Sequence, residues 1–376
     1  MDQRIDNFIR QLVESSTPEV TAWNMEQLGS GGIAAWNYID GCMFTALLEI
    51  ARITGETYYR DFVERCLDHV ITTEGGIRTF RPEDRNLDDI NEGRVLFELY
   101  QTTGREKYRS AADLLRRQLE RHPRTREGNF WHKAIYPNQV WLDGIYMAQP
   151  FYALYEKQFG NGDYRDIVGQ IRNVRERMFS QEKGLYYHGY DASRSVFWAD
   201  PVTGCSKNFW LRSLGWFAVA LADLLDILPE GKQRDSLSAI FTELMASVAR
   251  YADPITGLYW QVPDQGGREG NYLETSGSAM MAYAMLKGAR LGQLDKEYAA
   301  KGQKTFDGIV EKYLTFPESG KLNLGGICLV AGLGPQNNRR RDGSYEYYIS
   351  EPVVMNDAKG VAPFVLAYTE IKRLKA

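Results

Sequence analysis

The sequence predicts an all-α fold, a six-hairpin (α/α)6 barrel (toroid) with short β pieces in the connecting loops. Three observations predict it. A motif of Gly, three residues, Tyr and Arg recurs three times; each copy stands between two segments of helical period; and a second recurrence, rich in β-forming residues, lies between the hairpins so formed. With 376 residues and no composition break, the chain reads as one domain over 1–376.

The N-terminal stretch, Asp2 to Ser15, reads as a helix awaiting a partner. In the first hairpin Met43, Leu47, Leu48, Ile50 and Ala51 recur at helical spacing, Gly55 follows where a left-handed residue ends a helix, and Phe62, Cys66, Leu67 and Val70 carry the return helix after Tyr59-Arg60. Val95, Leu96, Leu99 and Tyr100 repeat this before Gly104, and Ala111, Leu114, Leu115 and Leu119 follow Tyr108-Arg109. Gly160 with Tyr164-Arg165 marks the third copy. Looser copies turn at Pro229-Glu-Gly231, between Leu214–Leu228 and Ser236–Tyr251, and at Gly292, between Ser276–Leu291 and Tyr298–Tyr313. Pairing the last segment, Asp357 to Lys375, with the first helix makes a sixth hairpin and closes a ring; an open superhelical stack is the alternative. The pieces between hairpins, Gly128-Asn-Phe-Trp-His132, Gly184-Leu-Tyr-Tyr-His188 and Gly257-Leu-Tyr-Trp-Gln261, read as short extended segments.

Composition narrows the function. Lys plus Arg is 45 against 49 Asp plus Glu, a formal charge of -4, which offers no overall field to a nucleic acid. The N-terminus lacks the apolar run of a secretory signal, and the longest uncharged run, 322–338, is broken by glycines and Pro335, so neither export nor a membrane span is expected. Four scattered cysteines and four histidines form no ligand pair, no phosphate-binding loop is present, and no metal, cofactor or disulfide is expected. Free thiols suit a reducing compartment, the cytoplasm. Asp88-Asp89 with Glu92 also has the spacing of a metal-diphosphate motif, but no second acidic motif accompanies it. Arg339-Arg340-Arg341 reads most simply as a solvated loop, with a grip on an acidic sugar chain as the alternative. The surplus is aromatic: 23 Tyr, 16 Phe and 8 Trp, with Trp131, Trp141, Trp198, Trp210 and Trp260 in the connecting loops that would gather at one mouth of the ring, a pattern expected of a ligand pocket.

Asp143 is the one charged residue between Ala134 and Tyr155. Without a basic partner, such apolar company disfavours the charged carboxylate, as a general acid requires; a helix N-cap or a hydrogen-bonded structural Asp is the alternative. His132, Lys133 and Trp141 stand beside it. Trp210, Arg212 and Trp216 do not share a helical stripe, which implies a loop entering a helix with Arg212 aimed into the mouth, its fork suited to a carboxylate.

Four stretches, FWHKAIYPNQVWLDGIYMAQPFYALY, NFWLRSLGWFAVAL, YLETSGSAMMAYAMLKGARLG and DGSYEYYISEPVVMNDAKGVAPF, resemble the unsaturated rhamnogalacturonyl hydrolases of glycoside hydrolase family 105, relatives of the family 88 unsaturated glucuronyl hydrolases. The resemblance implies the six-hairpin barrel and a substrate ending in a 4,5-unsaturated uronic acid, left by a lyase acting on pectin. It implies that Asp143 protonates C4 of the enol ether while water adds at C5, and that Asp88 orients water or sugar. It further implies that His132, Lys133, Trp141, His188, Trp210, Arg212 and Trp216, with Tyr38, line the sugar subsite, and that no metal or organic cofactor takes part. A monomer or weak homodimer is expected. Leu211 and Glu92 depart from the family pattern and are expected to reshape the mouth. A family 88 type activity, a noncatalytic uronate-binding toroid and a glycosidase for saturated sugars are the alternatives.

Overall fold

The computed structural model describes residues 2–32, 34–316 and 320–375, so residues 1, 33, 317–319 and 376 of the expected span lie outside the described residues. In chain order the helices are α1 (Asp2–Glu14), α2 (Met25–Ser30), α3 (Tyr38–Thr54), α4 (Thr57–Val70), α5 (Asp88–Asn91), α6 (Leu96–Thr103), α7 (Glu106–Glu120), α8 (Leu142–Gln158), α9 (Arg165–Met178), α10 (Leu211–Ile227), α11 (Lys232–Val248), α12 (Thr275–Arg290), α13 (Glu297–Tyr313), α14 (Tyr345–Ser350) and α15 (Ala358–Lys375).

Two kinds of helix sort themselves by sequence. Helices α10, α12 and α15 are buried on every side, over Leu211–Leu225, Thr275–Gly288 and Ala358–Ile371. Helices α7 and α9 are amphipathic; α9 buries Ile167, Val168, Ile171, Val174 and Met178, one stripe at the 3.6-residue period, and leaves its arginines outside. The first kind forms an inner ring. Helix α3 packs on α5 and the 3-10 turn Glu92–Val95, α5 on α8, α8 on α10, α10 on α12, α12 on α15, and α15 again on α3. The ring is therefore closed, not an open stack. Outside it α4, α7, α9, α11 and α13 each pack beside the inner helix that precedes them. Helix α1 joins α15 through Tyr368, whose hydroxyl donates to Asp6 Oδ1 at 3.0 Å, and through Lys372, 3.3 Å from Asp6 Oδ2.

The repeated glycine works as expected in two of its three copies. Gly55 (φ 75°) and Gly104 (φ 66°) end α3 and α6 in the left-handed region, which costs a residue with a Cβ about 1 kcal/mol or more. Gly160 does not; α8 ends one residue earlier and the left-handed glycine is Gly162. At Gly160 the need is room, since a Cβ there would stand 2.3 Å from Glu156 Oε2. The second hairpin also differs from expectation. Its inner strand of chain is a broken helix, α5, a 3-10 turn and α6, and in that turn Gly93 lies so close to Leu115 and Phe151 that a Cβ would meet them at 2.4 and 2.8 Å.

The extended pieces are present and small. Leu185–Tyr186 pairs with Phe179–Ser180 and Tyr259–Trp260 with Leu273–Glu274, while the Gly128–His132 piece makes a single bridge, Phe130 to Arg124. Their last residues matter most. The Leu87 N–H donates to His132 O (3.1 Å), Leu142 N–H to His188 O (3.1 Å), Leu211 N–H to Gln261 O (3.0 Å) and Thr275 N–H to Gly326 O (2.8 Å). Each loop leading to the next hairpin thus covers an otherwise orphaned N–H at the start of the preceding inner helix. No helix among the described residues is long and apolar enough to cross a membrane.

Candidate active site

The loop-to-helix clamps put one register position in the same place in successive hairpins. The residues that follow the clamped Leu87, Leu142 and Leu211 are Asp88, Asp143 and Arg212, and all three line one cavity of about 210 Å³ at the N-terminal ends of the inner helices. Tyr38, His132, Lys133, Trp141, Trp210 and Trp216 line it as well. His188 does not: it is wholly buried behind Asp143. The sequence reading missed Glu26, Tyr136, Met147 and residues 330–332, which complete the wall with Arg341, for which a grip on an acidic sugar was only the alternative to a solvated loop. Of the loop tryptophans, Trp131, Trp198 and Trp260 stand away from the cavity; Trp198 instead packs under Trp141 and Leu333.

Asp143 sits in the first turn of α8, nearly buried at 9% exposure. It is not solitary, as its sequence neighbourhood suggested. Gln139–Trp141 pairs antiparallel with Gly189–Asp191, Trp141 opposite Gly189, and this brings His188 Nε2 to 3.2 Å from Asp143 Oδ2, without the alignment of a hydrogen bond. On its other side His188 Nδ1 lies 2.8 Å from the Tyr348 hydroxyl, which burial keeps protonated.

Across the cavity Lys133 Nζ is 2.6 Å from Asp88 Oδ2. Burial would raise the Asp88 carboxyl, yet the Lys133 ammonium holds it below its ordinary value, so Asp88 carries its charge. Lys133 lines the cavity while paired with Asp88. His132 stands 3.7 Å from Asp88 and burial pushes it down to about 4, leaving it a neutral ring. The three acids of the Asp-Asp-x-x-Glu run diverge: Asp88 faces Lys133, Asp89 offers its carbonyl to Trp36 Nε1 at 2.6 Å, and Glu92 accepts the Asn37 N–H at 2.7 Å. Among the described residues no group of three or more His, Cys, Asp or Glu is placed to hold a metal ion.

Arg212 enters from the start of α10, as the loop-into-helix reading required. Its guanidinium donates to Cys328 O and, at 3.4 Å, to Ser276 Oγ and Leu329 O, with no carboxylate within 4 Å among the described residues. The aromatic walls are fixed in pairs. Trp141 stacks on His132 (4.2 Å, 21°), Trp216 on Tyr146 (4.5 Å, 21°) and Trp210 on Tyr348 (6.0 Å, 9°). The two family departures lie outside the wall. Glu92 supports the start of α3, and Leu211 packs on Gly277, where a Cβ would stand 2.3 Å from Leu211 Cγ. Neither reshapes the mouth directly.

A buried carboxyl beside an imidazole, a charged Asp–Lys pair opposite, a guanidinium with no carboxylate within 4 Å among the described residues and flat aromatic faces suit an anionic sugar and proton transfer. Comparison with known proteins agrees. The sequence model described as Glycosyl Hydrolase Family 88 matches residues 9–375. The solved glycoside hydrolase from family 105 of C. acetobutylicum is 37% identical, with a TM-score of 0.90 and 99% of each chain covered. The 24.9 kDa protein in the picA locus of Rhizobium radiobacter is 46% identical over 229 residues, 60% of this chain and 97% of that one. An unsaturated 3S-rhamnoglycuronyl hydrolase of Formosa agariphila is 29% identical over 165 residues, 42% of each chain. With its closed ring and this site, the chain belongs to the glycoside hydrolases of family 105, in the wider group that the family 88 model describes.

Proposed function

We propose that this protein removes a 4,5-unsaturated galacturonic acid from the non-reducing end of the oligosaccharides that a lyase leaves from rhamnogalacturonan. Asp143 gives a proton to C4 of the enol ether, water adds its oxygen to C5, and the resulting hemiketal opens with release of the remaining sugar as an alcohol. The observation that carries this reading is the Asp143 carboxyl itself, lining a cavity with Trp141, Trp210 and Trp216 and with His188 at its back. Protonating carbon is slow, and a preorganised acid sheltered from bulk water answers that difficulty. The charged Asp88, held by Lys133, is the group to orient the water or a sugar hydroxyl, while Arg212 takes the uronate carboxylate. Trp141, Trp210 and Trp216 offer faces to the sugar's C–H surface.

The proposed assembly is a monomer or weak homodimer. Four buried, unpaired cysteines support a cytoplasmic site of action on imported fragments. The test follows loss of enol-ether ultraviolet absorbance on unsaturated galacturonyl-rhamnose. The Asp143→Asn variant is expected to lose about 10²- to 10⁴-fold in kcat; retention of most of the rate overturns the role of Asp143. Matched substrates divide the remaining readings: faster turnover of an unsaturated glucuronyl sugar points to family 88 type activity, cleavage of the saturated disaccharide to ordinary glycosidase chemistry, and binding without turnover to a lectin-like toroid.

A further inference from the structure

The run Arg339-Arg340-Arg341 is not one solvated loop. Arg340 Nη1 lies 2.8 Å from Glu351 Oε1, and Arg339 lies over the Phe197 ring, 5.1 Å from its centroid. Arg341 alone turns to the cavity, partly buried, and among the described residues no carboxylate lies within 4 Å of it and no hydrogen bond of its guanidinium is formed. Its main chain is fixed, with Gly334 N–H donating to Arg341 O at 2.7 Å, and its side chain lies against a wall stripped of bulk. A Cβ at Gly332 would stand 3.4 Å from Arg341 Nη1 and 3.3 Å from the Trp141 ring. Of the three cations lining the cavity, Lys133 is paired with Asp88; among the described residues neither Arg212 nor Arg341 has a carboxylate within 4 Å, although the buried Glu274 acts on Arg212 from behind Ser276. Arg212 is deep, at 1% exposure, and Arg341 is on the more open side.

A terminal uronate has one carboxylate, and the enclosed Arg212 is the guanidinium placed for it. An enzyme that takes the terminal sugar into the enclosed end leaves the rest of the chain towards the open side. Resting on the function proposed above, we infer that Arg341 recognises a second anionic group, a carboxylate or sulfate ester, on the aglycone side of the cleaved bond, and so sets which oligosaccharides are preferred. The planar fork of an arginine fits either oxyanion.

The experiment compares kcat/KM on three unsaturated uronyl substrates whose aglycones are uncharged, carboxylated or sulfated. The wild type is expected to favour an anionic aglycone by about 10- to 100-fold, the worth of a charge-assisted hydrogen bond, chiefly through KM. Arg341→Ala should collapse that ratio towards one, Arg341→Lys should keep part of it, and added salt should erode it in the wild type only. The larger of the two anionic ratios identifies carboxylate or sulfate. An equal preference for charged and uncharged aglycones in the wild type, or a ratio that Arg341→Ala leaves unchanged, overturns the inference. If the wild type turns over the uncharged-aglycone substrate, the parent reading stands whatever Arg341 does; if it turns over none of the three, the parent reading is what has failed.

Discussion

The two ends of the barrel treat charge in opposite ways. At the far end from the mouth lies a larger cavity, about 320 Å³, lined by Glu49, Arg52, Arg94, Glu98, Asp223 and Lys287 among others. There the chain answers its own charges. Arg52 bridges Glu49 and Glu98, Asp223 takes Arg94 (2.6 Å) and Lys287 (2.9 Å), and Lys287 also reaches Asp226 (3.1 Å). The mouth is smaller, yet among the described residues it leaves two guanidiniums without a carboxylate within 4 Å, beside tryptophans held in stacked pairs. Volume is therefore a poor guide to the site in this barrel. Unanswered charge is the better one, because a buried cation without an anion is disfavoured unless something brings it a partner.

Breaking the far end gives the largest expected effect. Burial pushes the Asp223 carboxyl up, but Lys287 and Arg94 together hold it at about 2, and the Tyr283 hydroxyl donates to it at 2.7 Å. Asp223→Ala strands the buried Arg94 and leaves Lys287 only Asp226, and should lower unfolding free energy by about 3–5 kcal/mol, read from denaturant midpoints. Turnover per folded molecule should stay near the wild-type value. A large fall in kcat with unchanged stability would erase the contrast between the two ends. Since this carboxyl sits lower in the folded than in the unfolded chain, its stabilisation is full above about pH 4 and fades as pH falls from there towards 2.

Next to the mouth the sign reverses. Burial, with the Asp88 charge beside it, pushes the Asp89 carboxyl up to about 7. A carboxyl raised by folding binds its proton more tightly in the native chain, so its contribution is present below about pH 4 and is lost as pH rises from 4 to 7. Asp89→Asn should remove that slope. The variant and wild type should match in denaturant stability near pH 4, and the variant should lead by on the order of 2 kcal/mol at pH 8. Equal stability at both pH values would show that Asp89 is not strained by its neighbour.

Much of this architecture is readable in the residues, and the unreadable part has a common cause. Gly55 and Gly104 announce helix ends because left-handed geometry is a local demand, and α10, α12 and α15 announce an inner ring because small and apolar residues predominate in them. Tyr38, Asp88, Asp143, Trp210 and Arg212 fall on one wall because short motifs keep their register at helix starts. What escaped depends on contacts between distant segments. His188 reaches Asp143 through the pairing of Trp141 with Gly189, Lys133 is claimed by Asp88 from another hairpin, and Arg341 differs from Arg340 only in what each meets, a cavity against Glu351. The two recurrences were visible, but not that the second one clamps the starts of three inner helices at Leu87, Leu142 and Leu211, which is what makes Asp88, Asp143 and Arg212 equivalent positions.

The smallest of these effects sharpens the mouth itself. If Lys133 serves Asp88, then Lys133→Met removes the ammonium that offsets burial at that carboxyl, and the carboxyl rises. The charged form of Asp88 then persists only at higher pH, so the acid limb of the pH–kcat profile should move upward, with kcat falling about ten-fold at the wild-type optimum and KM changing little. If Lys133 instead held the substrate's carboxylate, the loss would appear in KM, the acid limb would stay in place, and added salt would weaken binding by the wild type more than by the variant. The split between kcat and KM thus decides whether Asp88 is kept charged from within the chain, leaving Arg212 to meet the sugar's carboxylate, or whether the mouth offers Lys133 to the substrate as well.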